Sequence, residues 1–146
     1  MKDENYHARI KTRLSAKEAL KKIQQVPGWW GTSVKGRPRK LKDTFTIHFG
    51  ETWVTFKVTE VDADRKTVWE VTGCHLPWLK DQTEWTGTQV VWELAEKKSG
   101  TQIDFTHLGL VPQAECYGMC RKGWNYHIKK SLRQFLETGT GLPDQR

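Results

Sequence analysis

The sequence predicts an α+β fold: a curved antiparallel β-sheet with one dry face, covered by a long helix at the C-terminal end. Three observations predict it. Successive segments between residues 6 and 108 alternate apolar and polar residues, the period of half-buried strands. The segments follow one another with short turn signals between them, which suits an antiparallel meander. From residue 116 to 139, Tyr117, Cys120, Trp124, Ile128, Leu132 and Phe135 recur every three or four positions and form one apolar stripe on a helix.

The elements follow in order. In YHARIKTRL (residues 6–14), Ala8, Ile10, Thr12 and Leu14 share one strand face, with His7, Arg9, Lys11 and Arg13 opposite. SAKE follows, where Ser15 can accept from a free backbone N–H and Glu18 can reach back, a capping box. Ala16, Ala19, Leu20 and Ile23 then take helical spacing until Val26-Pro27-Gly28 ends the helix. Trp29 and Trp30 open a loop into the basic stretch KGRPRKLK (residues 35–42). Strands are expected over 43–49, 52–61, 67–72, 86–95 and 101–108, with VDADRK and EKKSG as turns. Between them CHLPWLKDQTEW breaks the pattern, because Pro77 disfavours a central strand. The C-terminal helix carries Lys129, Lys130 and Arg133 off its apolar stripe, and Gly139 stops it. Where the sheet curls away from such a helix, a pocket is expected.

The chain has 146 residues, the size of a single domain, with eight Trp to supply apolar bulk. We read 1–146 as one domain, 35–42 as a basic loop and 140–146 as a flexible tail. Net charge is +7, and the basic stretch supplies five of these charges without an acid, so the rest of the chain is only +2. The basicity is local. No recognition-helix, zinc-finger or RNA-binding signature accompanies it, so there is no strong case for a nucleic-acid partner. No apolar run reaches the roughly 20 residues of a membrane span, and the N-terminal ten residues lack a secretory pattern. Three cysteines suggest reduced thiols and a cytoplasmic protein rather than a disulfide framework.

The motifs GTQIDFTHLGLVP (residues 100–112), ECYGMC (115–120), Gly123-Trp124 and SLRQFLETGTGLP (131–143), with VTEVDADRKTVWEV (58–71) as a hairpin, resemble the START-like, or SRPBCC, helix-grip superfamily. More narrowly, the chain is similar to the branch named after the C-terminal domain of the activator of the heat-shock protein 90 chaperone ATPase. The resemblance implies about seven antiparallel strands gripping the C-terminal helix. It also implies an internal cavity for lipid-like, polyketide-like or aromatic ligands, and it names no single reaction. The chain departs from the family at its first helix, where Ala19, Leu20 and Ile23 stand in place of a frequent Trp, and in its unusually basic loop.

Candidate site residues are Phe56, Trp69, Trp92, Phe105, His107, Tyr117, Cys120 and Trp124, expected around a cavity between sheet and helix. His107 shares the inner strand face with Ile103 and Phe105, so it is either a polar contact for a ligand or a histidine paired within the core. Tyr117 is its candidate companion. Trp29, Trp30, Trp78 and Trp85 stand in or beside loops and suit a pocket mouth or the closure of the barrel end. Cys116 and Cys120 face one side of the helix as small apolar residues. His127 is roughly 10 Å along the helix from Cys120, too far to share an ion, so no metal is expected. No nucleophile elbow, P-loop, dinucleotide turn or HExxH is present. We therefore expect reversible binding of a small hydrophobic, aromatic or lipid-like molecule, without a cofactor. The alternatives are an enzyme of the polyketide cyclase or aromatase type, and a module that docks on a chaperone or another protein.

Overall fold

A computed structural model describes residues 4–145; the first three residues and the last one of the expected tail lie outside the described residues. The strands are β1 (Tyr6–Thr12), β2 (Val34–Gly36), β3 (Thr44–Phe49), β4 (Thr52–Asp62), β5 (Lys66–His75), β6 (Gln89–Lys97) and β7 (Gly100–Leu108). They form one seven-stranded sheet in the order β1-β7-β6-β5-β4-β3-β2, antiparallel throughout. Helix α1 (Ala16–Gln24) follows β1. The C-terminal helix is continuous over α2 (Tyr117–Trp124), a π-helical segment (Asn125–Leu132) and α3 (Arg133–Thr138). Sheet and helix together make the helix-grip arrangement.

Local chemistry places these elements. Ser15 Oγ accepts from Glu18 N at 3.2 Å and Glu18 Oε1 accepts from Ser15 N at 3.3 Å, so the capping box is made. Two register shifts in β4, at Thr55/Phe56 and Val58/Glu60, bend the strand and help the sheet wrap. Gly139, at φ +85°, turns the chain out of α3 in the left-handed conformation. Gly28 is required for a different reason: a Cβ there would lie 2.5 Å from Phe135 Cζ, so the first helix's exit and α3 approach only across a glycine.

Two details differ from the sequence reading. The basic loop begins inside a short edge strand, β2, because Val34 packs against the core while Lys35 stays exposed. The tail is also held: Leu142 N donates to Ser131 Oγ at 2.8 Å, Asp144 N to Trp30 O at 2.9 Å, and Thr32 N to Asp144 O at 2.8 Å. These bonds tie residues 142–144 to the Trp29-Trp30 segment, where a flexible tail was expected.

The core is a run of rings across the sheet. Phe45 stacks on Phe56 at 4.9 Å, Phe56 meets Trp69 at 5.9 Å, Trp69 meets Trp92 at 5.5 Å and Trp92 meets Phe105 at 4.7 Å. Each such pair contributes about 0.5–1.5 kcal/mol beyond its buried area. Ile128, Leu132 and Phe135 of the C-terminal helix close over the same cluster.

Candidate functional site

A cavity of about 390 Å³ opens at one end of the grip, between the C-terminal helix, the strands β3 and β4 and the loop that joins β5 to β6. Its aromatic walls are Trp30, Phe49, Trp85 and Trp124. Trp124 lies 4.9 Å from Trp30 and stacks on Trp85 at 5.9 Å with only 10° between the planes. Val54 and Leu76 add aliphatic surface, and Trp78 (46 % exposed) and Met119 (64 % exposed) form the lip. Thr52, His127 and Asp144 are its polar side chains.

The structure separates the expected site residues into two groups. Cys120 and Trp124 line the cavity. Phe56, Trp69, Trp92, Phe105 and His107 are fully buried, and they pack on one another or behind the cavity wall instead of around open space. Tyr117 is half-buried against the core edge. Among the loop tryptophans, Trp30, Trp78 and Trp85 reach the cavity, while Trp29 is buried and donates from Nε1 to Ile23 O at 3.0 Å, capping the end of α1.

His107 occupies a defined place behind the wall. Trp124 Nε1–H donates to His107 Nδ1 at 3.0 Å, so Nδ1 carries no proton and the neutral ring is protonated at Nε2. Nε2–H donates to Thr88 Oγ1 at 2.9 Å, and Thr88 Oγ1–H donates to Trp85 O at 2.6 Å. Both ring nitrogens of His107 and the Thr88 hydroxyl are satisfied, and the chain ends in the two tryptophans that stack to form the wall. Burial pushes the His107 pKa down to about 3. His107 is thus a positioning residue for Trp85 and Trp124.

The segment that begins the helix is fixed by carboxylates whose capping role the sequence alone does not show. Glu84 accepts from Glu115 N at 2.7 Å and from Cys116 N at 2.9 Å, in place of a capping side chain on the helix itself. In return, Glu115 accepts from Lys80 N at 2.8 Å and Asp81 N at 3.2 Å. The clasp holds the β5–β6 loop, with Leu76, Trp78 and Trp85, against the helix start. Cys116 and Cys120 are joined as a disulfide in the same turn, where thiols were expected; their Cα atoms are 5.5 Å apart, a separation well suited to that bond. Cys74 is free and buried.

His127 lies on the cavity wall with Cys120. Its ring lies over Phe49 at 6.2 Å and 28°. Burial pushes its pKa down to about 4, with Asp144 acting in the opposite direction. Just before it, Tyr6 Oη donates to Asn125 Oδ1 at 2.5 Å, tying β1 to the first residue of the π-helical segment. Burial raises the Tyr6 pKa to about 12, so it remains a donor at any ordinary pH. Among the described residues no cluster of three or more metal-ligating side chains occurs, and no helix is long and apolar enough to cross a membrane.

Comparison with known proteins agrees with this fold. Residues 18–137 match the family described as Activator of Hsp90 ATPase homolog 1-like protein. No curated protein matches the chain by sequence. Among solved structures, the Aha1 dimer from Colwellia psychrerythraea is 22% identical with a TM-score of 0.78, over 94% of this chain and 98% of that one. DynU16, a protein of the dynemicin biosynthetic locus, is 17% identical with a TM-score of 0.73, over 99% of this chain and 52% of that one. Protein MLL2253 from Mesorhizobium loti is 17% identical with a TM-score of 0.72, over 90% of this chain and 96% of that one. At these identities the likeness is one of fold.

Proposed function

The chain belongs to the Activator of Hsp90 ATPase homolog 1-like family, and on that premise we propose that it reversibly binds a small apolar, aromatic molecule in the cavity between sheet and C-terminal helix, without a catalytic step. The observation that carries this reading is a cavity of about 390 Å³ walled by Trp30, Phe49, Trp85 and Trp124, with few polar side chains. That is the composition of ligand pockets, and its size falls in their usual range of about 300–1,000 Å³. The wall is braced before any ligand arrives, because Trp85 and Trp124 are held from behind by the His107–Thr88 chain. A preformed wall spares a ligand the cost of ordering it. Affinity then comes from apolar area removed from water, about 25 cal/mol per Å².

Calorimetric titration with naphthalene and with dodecanoate tests the reading. Saturable naphthalene binding at one site, with a negative heat-capacity change, supports it. No binding of either probe, with no rise in melting temperature, would contradict it.

A second reading has its own observation. Trp78 and Met119 expose apolar surface at the lip of the cavity, and the family is described by activation of a chaperone ATPase. Such a lip suits a protein partner. Stimulation of a chaperone's ATPase that is lost in Trp78→Ser/Met119→Ser supports docking; no stimulation counts against it.

A further inference from the structure

The π-helical segment, residues 125–132, sets His127 on the cavity wall. π-helical turns are uncommon and gather at functional sites. Here the wider turn keeps Ile128, Ser131 and Leu132 all buried. Ser131 Oγ donates to Trp29 O and accepts from Leu142 N, so the segment is anchored on both sides and does not fray.

The His127 ring is packed on three sides by rings: Phe49 at 6.2 Å, Trp30 at 6.3 Å and Tyr126 at 5.5 Å. Its Nδ1 is buried with no hydrogen-bond partner, and Nε2 makes none within the described residues. The ring is neutral at ordinary pH, because burial lowers its pKa to about 4. One nitrogen therefore carries a proton. On Nδ1 it would be a buried donor with no acceptor, and orphaned N–H groups are rarer in folded proteins than under-used acceptors. The proton belongs on Nε2, the ring's remaining polar atom.

We infer that the cavity takes an aromatic carbonyl compound, its rings against Trp30 and Trp124 and its C=O oxygen accepting a hydrogen bond from His127 Nε2–H. This rests on the reading of the cavity as a ligand site, and it adds the chemical class. His127 supplies the single directional contact; Trp30 and Trp124 supply area without selecting among planar ring systems.

The test compares naphthalene, acetylnaphthalene and isopropenylnaphthalene, the last carrying C=CH₂ in place of C=O. The expected result is that wild type binds acetylnaphthalene about tenfold more tightly than its isopropenyl isostere. In His127→Phe, which keeps an aromatic ring, the preference disappears while naphthalene still binds. Should that variant fail to fold, the nitrogen-15 shift of His127 Nε2 in wild type replaces it, and it should move with acetylnaphthalene and stay put with the isostere. Equal affinities for the two isosteres in wild type, or a preference that survives in His127→Phe, or an unmoved Nε2 signal, would overturn the inference and leave the cavity reading intact. Failure of all three compounds to bind wild type removes the cavity reading, and this inference with it.

Discussion

Replacing His107 by leucine tests the brace behind the cavity wall, and the test has a built-in pH signature. His107 accepts from Trp124 Nε1–H at 3.0 Å and pairs with Thr88 Oγ1 at 2.9 Å. Leucine leaves the buried Trp124 N–H without an acceptor, at about 1–3 kcal/mol, and removes the Thr88 bond, at about 1 kcal/mol. The expected loss near pH 7.5 is therefore roughly 2–4 kcal/mol, within the usual stability of a domain of this size. Linkage opposes this loss in acid. The His107 pKa is 6.5 when unfolded and about 3 when folded. Both states are neutral above 6.5, so the histidine costs nothing there. As pH falls below 6.5 the unfolded chain takes up a proton that the folded one refuses, and stability drains away until the folded pKa is passed. By about pH 5 this amounts to about 2 kcal/mol in wild type. None of it applies in the variant, since leucine does not titrate. The destabilisation caused by His107→Leu should thus shrink by about 2 kcal/mol between pH 7.5 and pH 5. Urea unfolding followed by tryptophan fluorescence at the two pH values reads it directly. A penalty that is the same at both, or no penalty near neutrality, would refute the buried, doubly bonded histidine.

Three further outcomes follow from named contacts. Gly28→Ala drives a Cβ into the Phe135 ring and should destabilise the protein by about 1–3 kcal/mol, whereas an unchanged urea midpoint would mean that α3 is not packed there. Glu84→Ala uncaps the backbone N–H groups of Glu115 and Cys116; thermal unfolding should show a loss of about 1–2 kcal/mol, and hydrogen exchange at those two amides should quicken, while unaltered exchange would count against the clasp. Reducing the bond between Cys116 and Cys120, which closes a loop of separation 4, should cost about 2 kcal/mol on the loop-entropy scale; mass spectrometry that finds all thiols free before reduction would contradict the pairing.

Much of the fold was legible because it rests on period. Strict alternation in β1 and β7 and the stripe from Tyr117 to Phe135 each point to one buried face, and the buried residues fall on those faces. Ser15 and Glu18 announced their helix because a capping box is local chemistry. The cavity was less legible, since it depends on which large side chains meet. Phe56, Trp69, Trp92 and Phe105 have the right pattern for either a lined cavity or a filled core, and cross-strand register brings them into contact. His107 was readable as an inner-face histidine, but its partners come from Trp124 in the helix and Thr88 before β6, which no spacing joins. His127 was readable as a residue of the C-terminal helix, yet the π-helical turn that carries it has no signature in residue type. The role of Glu84 could not be read, because it caps a helix that begins more than thirty residues later.

The central claim is that the ligand site lies at the open end of the grip and not among the rings of the sheet. Seven of the eight tryptophans report on the two places: Trp30, Trp78, Trp85 and Trp124 line the cavity, while Trp29, Trp69 and Trp92 are core. The most direct measurement is a nitrogen-15 NMR titration of the indole N–H signals with naphthalene. The account predicts saturable shifts of the four cavity tryptophans, with those of Trp69 and Trp92 nearly still. Saturable shifts centred on Trp69 and Trp92, or none on any indole, would contradict it.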